Sequence, residues 1–338
     1  MMKTESESRQ HVSRTKMEAL LSDLSKLPGE AGPGFFGPDS VTWRVNRESA
    51  VFLGAGRAAL LQLAHPWVAA SLIQHSNLRN DAIGRFHSTF RVIYTMLFGT
   101  RGQAIAASRQ LYRRHTSIRG ELPNAIGARP SGEHYEANEI AALRWVYATL
   151  IESAILAYEF VQPPLLEGER EQYYAESKRM AALFGIPPGE LPENWGAFSR
   201  YMTEMIESPW LGVDENAHVL GRSVLSGVGT VLRPPGWYRA LTAFWMPPRL
   251  RTAFALSFGA PEEETVSKVS HRLPILYLRI PSPLRFVGPF HEAQARLRGR
   301  SPGLLIHRSN RFWMGQPRLL YPELSTPEQA APVSSSAL

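Results

Sequence analysis

From Ser49 onward the hydrophobic pattern of the chain is that of helices. Residues 50–65, AVFLGAGRAALLQLAH, are apolar nearly all round, which marks a central rather than a surface helix. Pro66 resets the chain, because proline suits a first helical turn and not an interior, so a separate helix is predicted over 67–75. The next runs over 83–98 and stops at Gly99. Thr100 with Gln103 spells a capping box, opening a helix expected to reach about Arg119 before Gly120 ends it. Residues 119–136 read as loop. Asn138 is placed to cap the longest helix, which ends near Val161 because Pro163 and Pro164 forbid continuation. Further helices are expected over 170–184 and 195–206, and beyond Leu211 short helices alternate with proline pairs at 234–235 and 247–248. Residues 1–30 are polar and partly helical, and the Pro/Ser/Ala-rich tail from about Ser325 reads as disordered. Alternating runs flanked by hairpin turns are missing, and no repeat stands out, so the fold class is all-α.

Composition narrows the chemistry. The 338 residues contain no cysteine, which excludes disulfides, zinc ribbons, iron-sulfur clusters, thiolate-ligated haem and a cysteine nucleophile. Any metal must rest on imidazole and oxygen ligands. The formal net charge is +7, yet residues 1–230 are net −1 and residues 231–338 net +8, so the basic surplus is entirely C-terminal. That asymmetry suits an anionic partner such as a membrane surface, although a solvated basic surface is the more ordinary explanation. Nucleic acid is disfavoured, since no helix carries a dense Lys/Arg face and only five basic residues are lysine. The N-terminus lacks an apolar core of signal-peptide length, and the apolar stretches 50–73 and 145–161 are interrupted by Arg57, Glu152 and Glu159. A cytoplasmic location is therefore expected.

There is no Walker lysine loop, GxSxG elbow or HExxH helix. Gly54-Ala55-Gly56 resembles the start of a dinucleotide turn but sits in a helical pattern with no preceding strand. What remains are histidines on apolar helices, at 65, 75, 87 and 115. His115 shares the apolar stripe of its helix with Leu111, Tyr112 and Ile118. By spacing alone, a histidine so placed is more often a satisfied core residue than a ligand. Arg85 and Thr89 lie one turn apart on one face, where an arginine and a hydroxyl suit a propionate or dioxygen; a surface arginine beside a back-bonded threonine has the same spelling.

The run FFGPDSVTWRVNRESAVFLGAGRAALLQLAHPWVAASLIQHS, followed in order by RFHST, FGT, RRHTSIRG, LRWVYATLIESAILAYE and YYAESKRMAALFGIPPGELP, resembles the rubber oxygenase (latex clearing protein) and MpaB-type oxygenase family over roughly residues 36–290. The resemblance implies a globin-like helical core with additional C-terminal helices, and a haem b (iron) pocket between helices. It also implies an oxidoreductase of the oxygenase kind, acting with dioxygen on a small apolar, alkene-containing substrate. By the same resemblance His115, in the HxxxRG segment, is the axial metal ligand, and Arg85 and Thr89 are cofactor-binding and catalytic residues. His65 matches a recurrent family position and is read as closing a buried hydrogen bond. The implied organisation is a polar extension over 1–35, the oxygenase-like domain over 36–310 and a tail over 311–338.

Two departures matter. Tyr147 stands where many relatives have a histidine, and tyrosine, with a pKa near ~10, is a poorer proton relay at neutral pH. Ser88 stands where rubber-cleaving members have a lysine, so polyisoprene cleavage is not expected. These departures motivate an alternative, haem or apolar-ligand binding without turnover. A third reading is a helical membrane-surface protein docking through the basic C-terminal half, around Trp237 and Trp245.

Overall fold

The capping signals in the sequence are realised as hydrogen bonds in the computed structural model, which describes residues 10–76, 82–227 and 233–319. Helices α1 (Arg14–Ser25) and α2 (Val41–Asn46) lead through a 3-10 turn, Ser49–Gly54, into α3 (Ala55–Leu63) and α4 (Pro66–His75). Then come α5 (Ala82–Phe98), α6 (Arg101–Thr116), α7 (Ile140–Val161), α8 (Glu167–Leu183) and α9 (Trp195–Glu207). The C-terminal part holds α10 (Glu215–Ser226), α11 (Gly236–Trp245), α12 (Pro248–Ala253), α13 (Ala260–Arg279), α14 (Ser282–Arg285), α15 (Gly288–Leu297) and α16 (Leu304–Met314). The architecture is mostly helical, as the sequence predicts.

α5 and α6 form a tight antiparallel pair because Thr100 and Gln103 close the capping box: Thr100 Oγ1 accepts from Gln103 N at 3.2 Å, and Gln103 Oε1 from Thr100 N at 2.9 Å. α7 lies at the centre, packed on the 3-10 turn, α3, α8 and α13. Its Trp145 is fully buried and donates to Leu61 O at 2.8 Å, while Trp43 of α2 does the same to Leu97 O at 2.8 Å, so both indoles enter the core with their N–H satisfied. Among the described residues α7 is the one helix long and apolar enough to cross a membrane; 61% of its apolar window is buried against other helices.

Several elements differ from the sequence reading. Residues 119–136 are not wholly loop: β1 (Arg119–Glu121) and β2 (His134–Glu136) pair antiparallel, with Gly120 opposite Tyr135. α6 correspondingly ends at Thr116. Residues 14–25, read as a polar extension, bury Met17, Leu21 and Leu24 against α6 and α8. α13 is a 20-residue helix running through Pro274. α16 and the segment after it join the body, where Leu319 N donates to Glu292 of α15. The tail from about Ser325 lies outside the described residues.

Candidate functional site

His115 sits in the last turn of α6, opposite the first turns of α5, and the hairpin geometry brings it to Arg85 across 30 positions of sequence. The imidazole is half-buried. Burial first, then the positive charges of Arg85 and Arg114, push its pKa from 6.5 down to about 4, so the ring is neutral at pH 7. Asn138 accepts a hydrogen bond from the ring and turns its own amide toward Tyr112 O at 3.5 Å. Asn138 therefore does not cap α7; the N-cap is Glu139, without a side-chain cap bond, and Asn138 instead lies beside the histidine.

Arg85 is half-buried, and desolvation followed by repulsion from Arg114 lowers its pKa to about 10. No ion pair to a carboxylate is found for it among the described residues. Arg114 donates to Ser88 Oγ at 3.3 Å, so the serine that stands in the lysine position steadies the second guanidinium. Thr89 is less available than the sequence suggested: its Oγ1 donates to Arg85 O at 3.0 Å, the back-bonded arrangement, which leaves the hydroxyl only as an acceptor. The structure thus joins His115 to Arg85, adds Asn138 and Arg114, which sequence reasoning missed, and commits the Thr89 proton to the backbone. Among the described residues, two cations and a neutral imidazole meet here with no carboxylate paired to Arg85.

Beside it, on the inner face of α5, Phe86, Phe90, Tyr94 and Phe98 form an aromatic ladder, with Phe52 against Phe90 at 4.6 Å and stacked on Trp313 at 4.1 Å. A mostly apolar cavity of about 60 Å³ lies behind this ladder between α2, α5, α7 and α8. None of the three predicted site residues lines it, and its volume holds a few atoms rather than a tetrapyrrole. Tyr147 is close by and fully buried, its hydroxyl bonded to Ser177 Oγ at 2.6 Å; burial raises its pKa, so it is fixed as a neutral hydrogen-bonding group.

His65 is buried, its Nδ1 without a hydrogen-bond partner among the described residues, and burial with the nearby Arg129 charge pushes its pKa down to about 3. A histidine neutral when folded and protonated below 6.5 when unfolded adds stability that is complete above pH 6.5 and is lost as pH falls toward the folded value. The melting temperature is therefore expected to drop below pH 6.5. His65→Leu should remove about 3 kcal/mol of the decline between pH 6.5 and 4, read from melts of both proteins across that range.

Gly54-Ala55-Gly56 is no nucleotide turn: it joins the 3-10 turn to α3, with Gly56 N donating to Tyr238 OH at 2.9 Å. The model of a family described as "ER-bound oxygenase mpaB/B'/Rubber oxygenase, catalytic domain" matches residues 43–274, more than half of the sequence. The chain belongs to this family. No curated protein and no solved structure matches it. The mpaB/rubber oxygenase match contains α3 to α12 and most of α13, and hence Arg85, Thr89, His115 and Asn138, so the site lies inside an oxygenase-like catalytic domain.

The donor set can be tested against the cofactor the sequence resemblance implies. A haem needs one neutral imidazole with a fixed ring, and cations for two propionates; His115 with Asn138, and Arg85 with Arg114, supply these. No cluster of three or more His, Asp or Glu suited to a bare metal ion occurs among the described residues.

Proposed function

We propose that this member of the mpaB/rubber oxygenase family is a haem b-dependent oxygenase for an apolar, alkene-containing substrate, with His115 as the axial ligand. The observation that carries the reading is the neutral imidazole of His115, beside Asn138, facing an Arg85 for which no carboxylate partner is found among the described residues. The propionates would pair with Arg85 and Arg114, replacing a repulsion between cations by charge-assisted hydrogen bonds. When bound, haem supplies the redox chemistry that activates dioxygen. The chain's own residues do the rest. Asn138 fixes the imidazole plane, Ser88 holds Arg114 in place, Thr89 offers an acceptor oxygen, and the ladder of Phe86, Phe90 and Phe52 keeps the neighbouring space dry and apolar.

Arg85→Leu tests the reading with two opposed effects. Removing a half-buried cation for which no carboxylate partner is found among the described residues should raise the melting temperature of the haem-free protein by roughly 2–4 °C. The same change should weaken haem binding at least ~10-fold in an absorption titration, because a charge-assisted contact is lost. Unchanged haem affinity in Arg85→Leu would count against the assignment.

Binding without turnover is the second reading, favoured by Tyr147, whose neutral hydroxyl is committed to Ser177 and relays no proton at neutral pH. Dioxygen uptake on adding an alkene to the haem-loaded protein separates the two: an oxygenase consumes it, a carrier or sensor does not.

A further inference from the structure

Large apolar side chains left in solvent are concentrated in one part of the fold. Of the twelve exposed large hydrophobics among the described residues, nine lie between Ile275 and Phe312. The densest group is the corner where α13 ends and α14 begins. There Ile275, Leu276, Leu278, Ile280 and Leu284 are all exposed, Leu284 by 77%, and Tyr277 is the one buried residue between 275 and 284.

This corner is held rigidly. Tyr277 OH donates to Glu48 Oε2 at 2.9 Å and accepts from Ala50 N at 3.1 Å. Arg285 Nε lies 3.1 Å from the same carboxylate, and Phe286 bridges to Glu48 through the backbone. The aliphatic side chains are therefore displayed by a fixed support, not by a fraying end. Exposed patches of this kind on a folded protein mark interaction surfaces.

The charge around the corner says what it meets. Residues 271–319 contain nine arginines and one acidic residue, Glu292. Glu292 is buried, bonded to Asn310 Nδ2 and Leu319 N, so this stretch shows no exposed carboxylate to solvent. A second copy of the chain would bring the same positive field to itself. A bilayer with anionic headgroups offers the complement, with acyl chains for the leucines and phosphates for Arg272 and Arg279, both exposed beside them. The segment around Trp237 and Trp245 is a poorer candidate, because Trp245 packs edge-to-face on Phe160 at 5.2 Å and Trp237 packs on the cluster of Ala240, Leu241 and Val266.

We infer that the α13–α14 corner is a peripheral docking surface for anionic lipid bilayers, inserting Leu276, Leu284 and their neighbours to headgroup depth. The surface is independent of the His115 site, and so is its test. The full chain is floated with vesicles of equal parts phosphatidylglycerol and phosphatidylcholine, and with vesicles of phosphatidylcholine alone, at low and high salt. Binding is expected to the mixed vesicles, weakened by salt. Leu276→Ser/Leu284→Ser should bind at least ~10-fold more weakly, and Arg272→Gln/Arg279→Gln roughly fivefold more weakly per arginine. All four positions are exposed, so both variants should melt as the parent does.

Absence of parent binding to the mixed vesicles would overturn the inference, as would parent-like binding by the leucine variant. A parent that sediments as a dimer, becomes monomeric with the leucine changes and ignores vesicles would overturn it too, by showing that the face joins two copies.

Discussion

His115→Ala is expected to purify without stoichiometric haem and to show no Soret band after reconstitution with haem in excess. The reason lies in how few groups do the holding. On the proposed assignment His115 would supply the one imidazole, so its removal would leave only the guanidiniums of Arg85 and Arg114 and apolar contact to retain the cofactor. Asn138→Ala keeps the ligand but releases the ring, so it should lower haem affinity by ~10–100-fold without abolishing it. Added imidazole should restore part of the band in His115→Ala and none beyond the parent's in the parent. An absorption titration of the three proteins checks this. A His115→Ala protein that binds haem with the parent's spectrum and affinity would remove His115 from the site.

The second large effect is on stability. A Cβ on Gly54 would stand 2.4 Å from Ser153 O and 3.1 Å from its carbonyl carbon, so Gly54→Ala sets side chain against backbone. α7 cannot yield easily there. Ser153 Oγ accepts from Arg57 Nη1 at 3.0 Å, and Arg57 pairs with Glu152 at 2.6 Å, which ties the same turn of α7 to α3. Gly54→Ala should therefore cost about 3 kcal/mol and lower the melting temperature by roughly 4 °C. Gly56→Ala is the internal comparison. Its nearest obstacle is the Thr242 hydroxyl at 2.9 Å, a side-chain atom farther off than the backbone oxygen that Gly54 meets, so its loss should be smaller. Equal melts of Gly54→Ala and the parent by calorimetry would show that the contact with α7 is looser than this.

The parts of the molecule that sequence foretold are those whose information is local. The α5–α6 turn is spelled by Gly99, Thr100 and Gln103 within five residues, and α4 by Pro66 at its first position. The 119–136 ribbon was not legible, because each strand is three residues long and only Tyr135 of the six is buried, too little for an alternating pattern. Beyond Leu211 the sequence predicts only short helices, whereas α13 runs for 20 residues and passes through Pro274. In the site, Arg85 and His115 could be picked out by residue type and by family resemblance. Asn138 and Arg114 could not, because their roles are contacts between segments far apart or between side chains on opposite helices. The one available signal for Asn138, a capping residue before an apolar run, pointed to the wrong partner. Thr89 shows the reverse: two explanations share one spacing, and only the 3.0 Å bond to Arg85 O separates them.

The most direct test of a haem b held by His115 is the absorption spectrum of the parent protein expressed with ample haem precursor, with a pyridine haemochrome assay for type and stoichiometry. One b-type haem per chain, with a Soret band that is lost or shifted in His115→Ala, is the predicted result. A protein that stays colourless under those conditions would contradict it, and would mean that this chain keeps the family's fold without its cofactor.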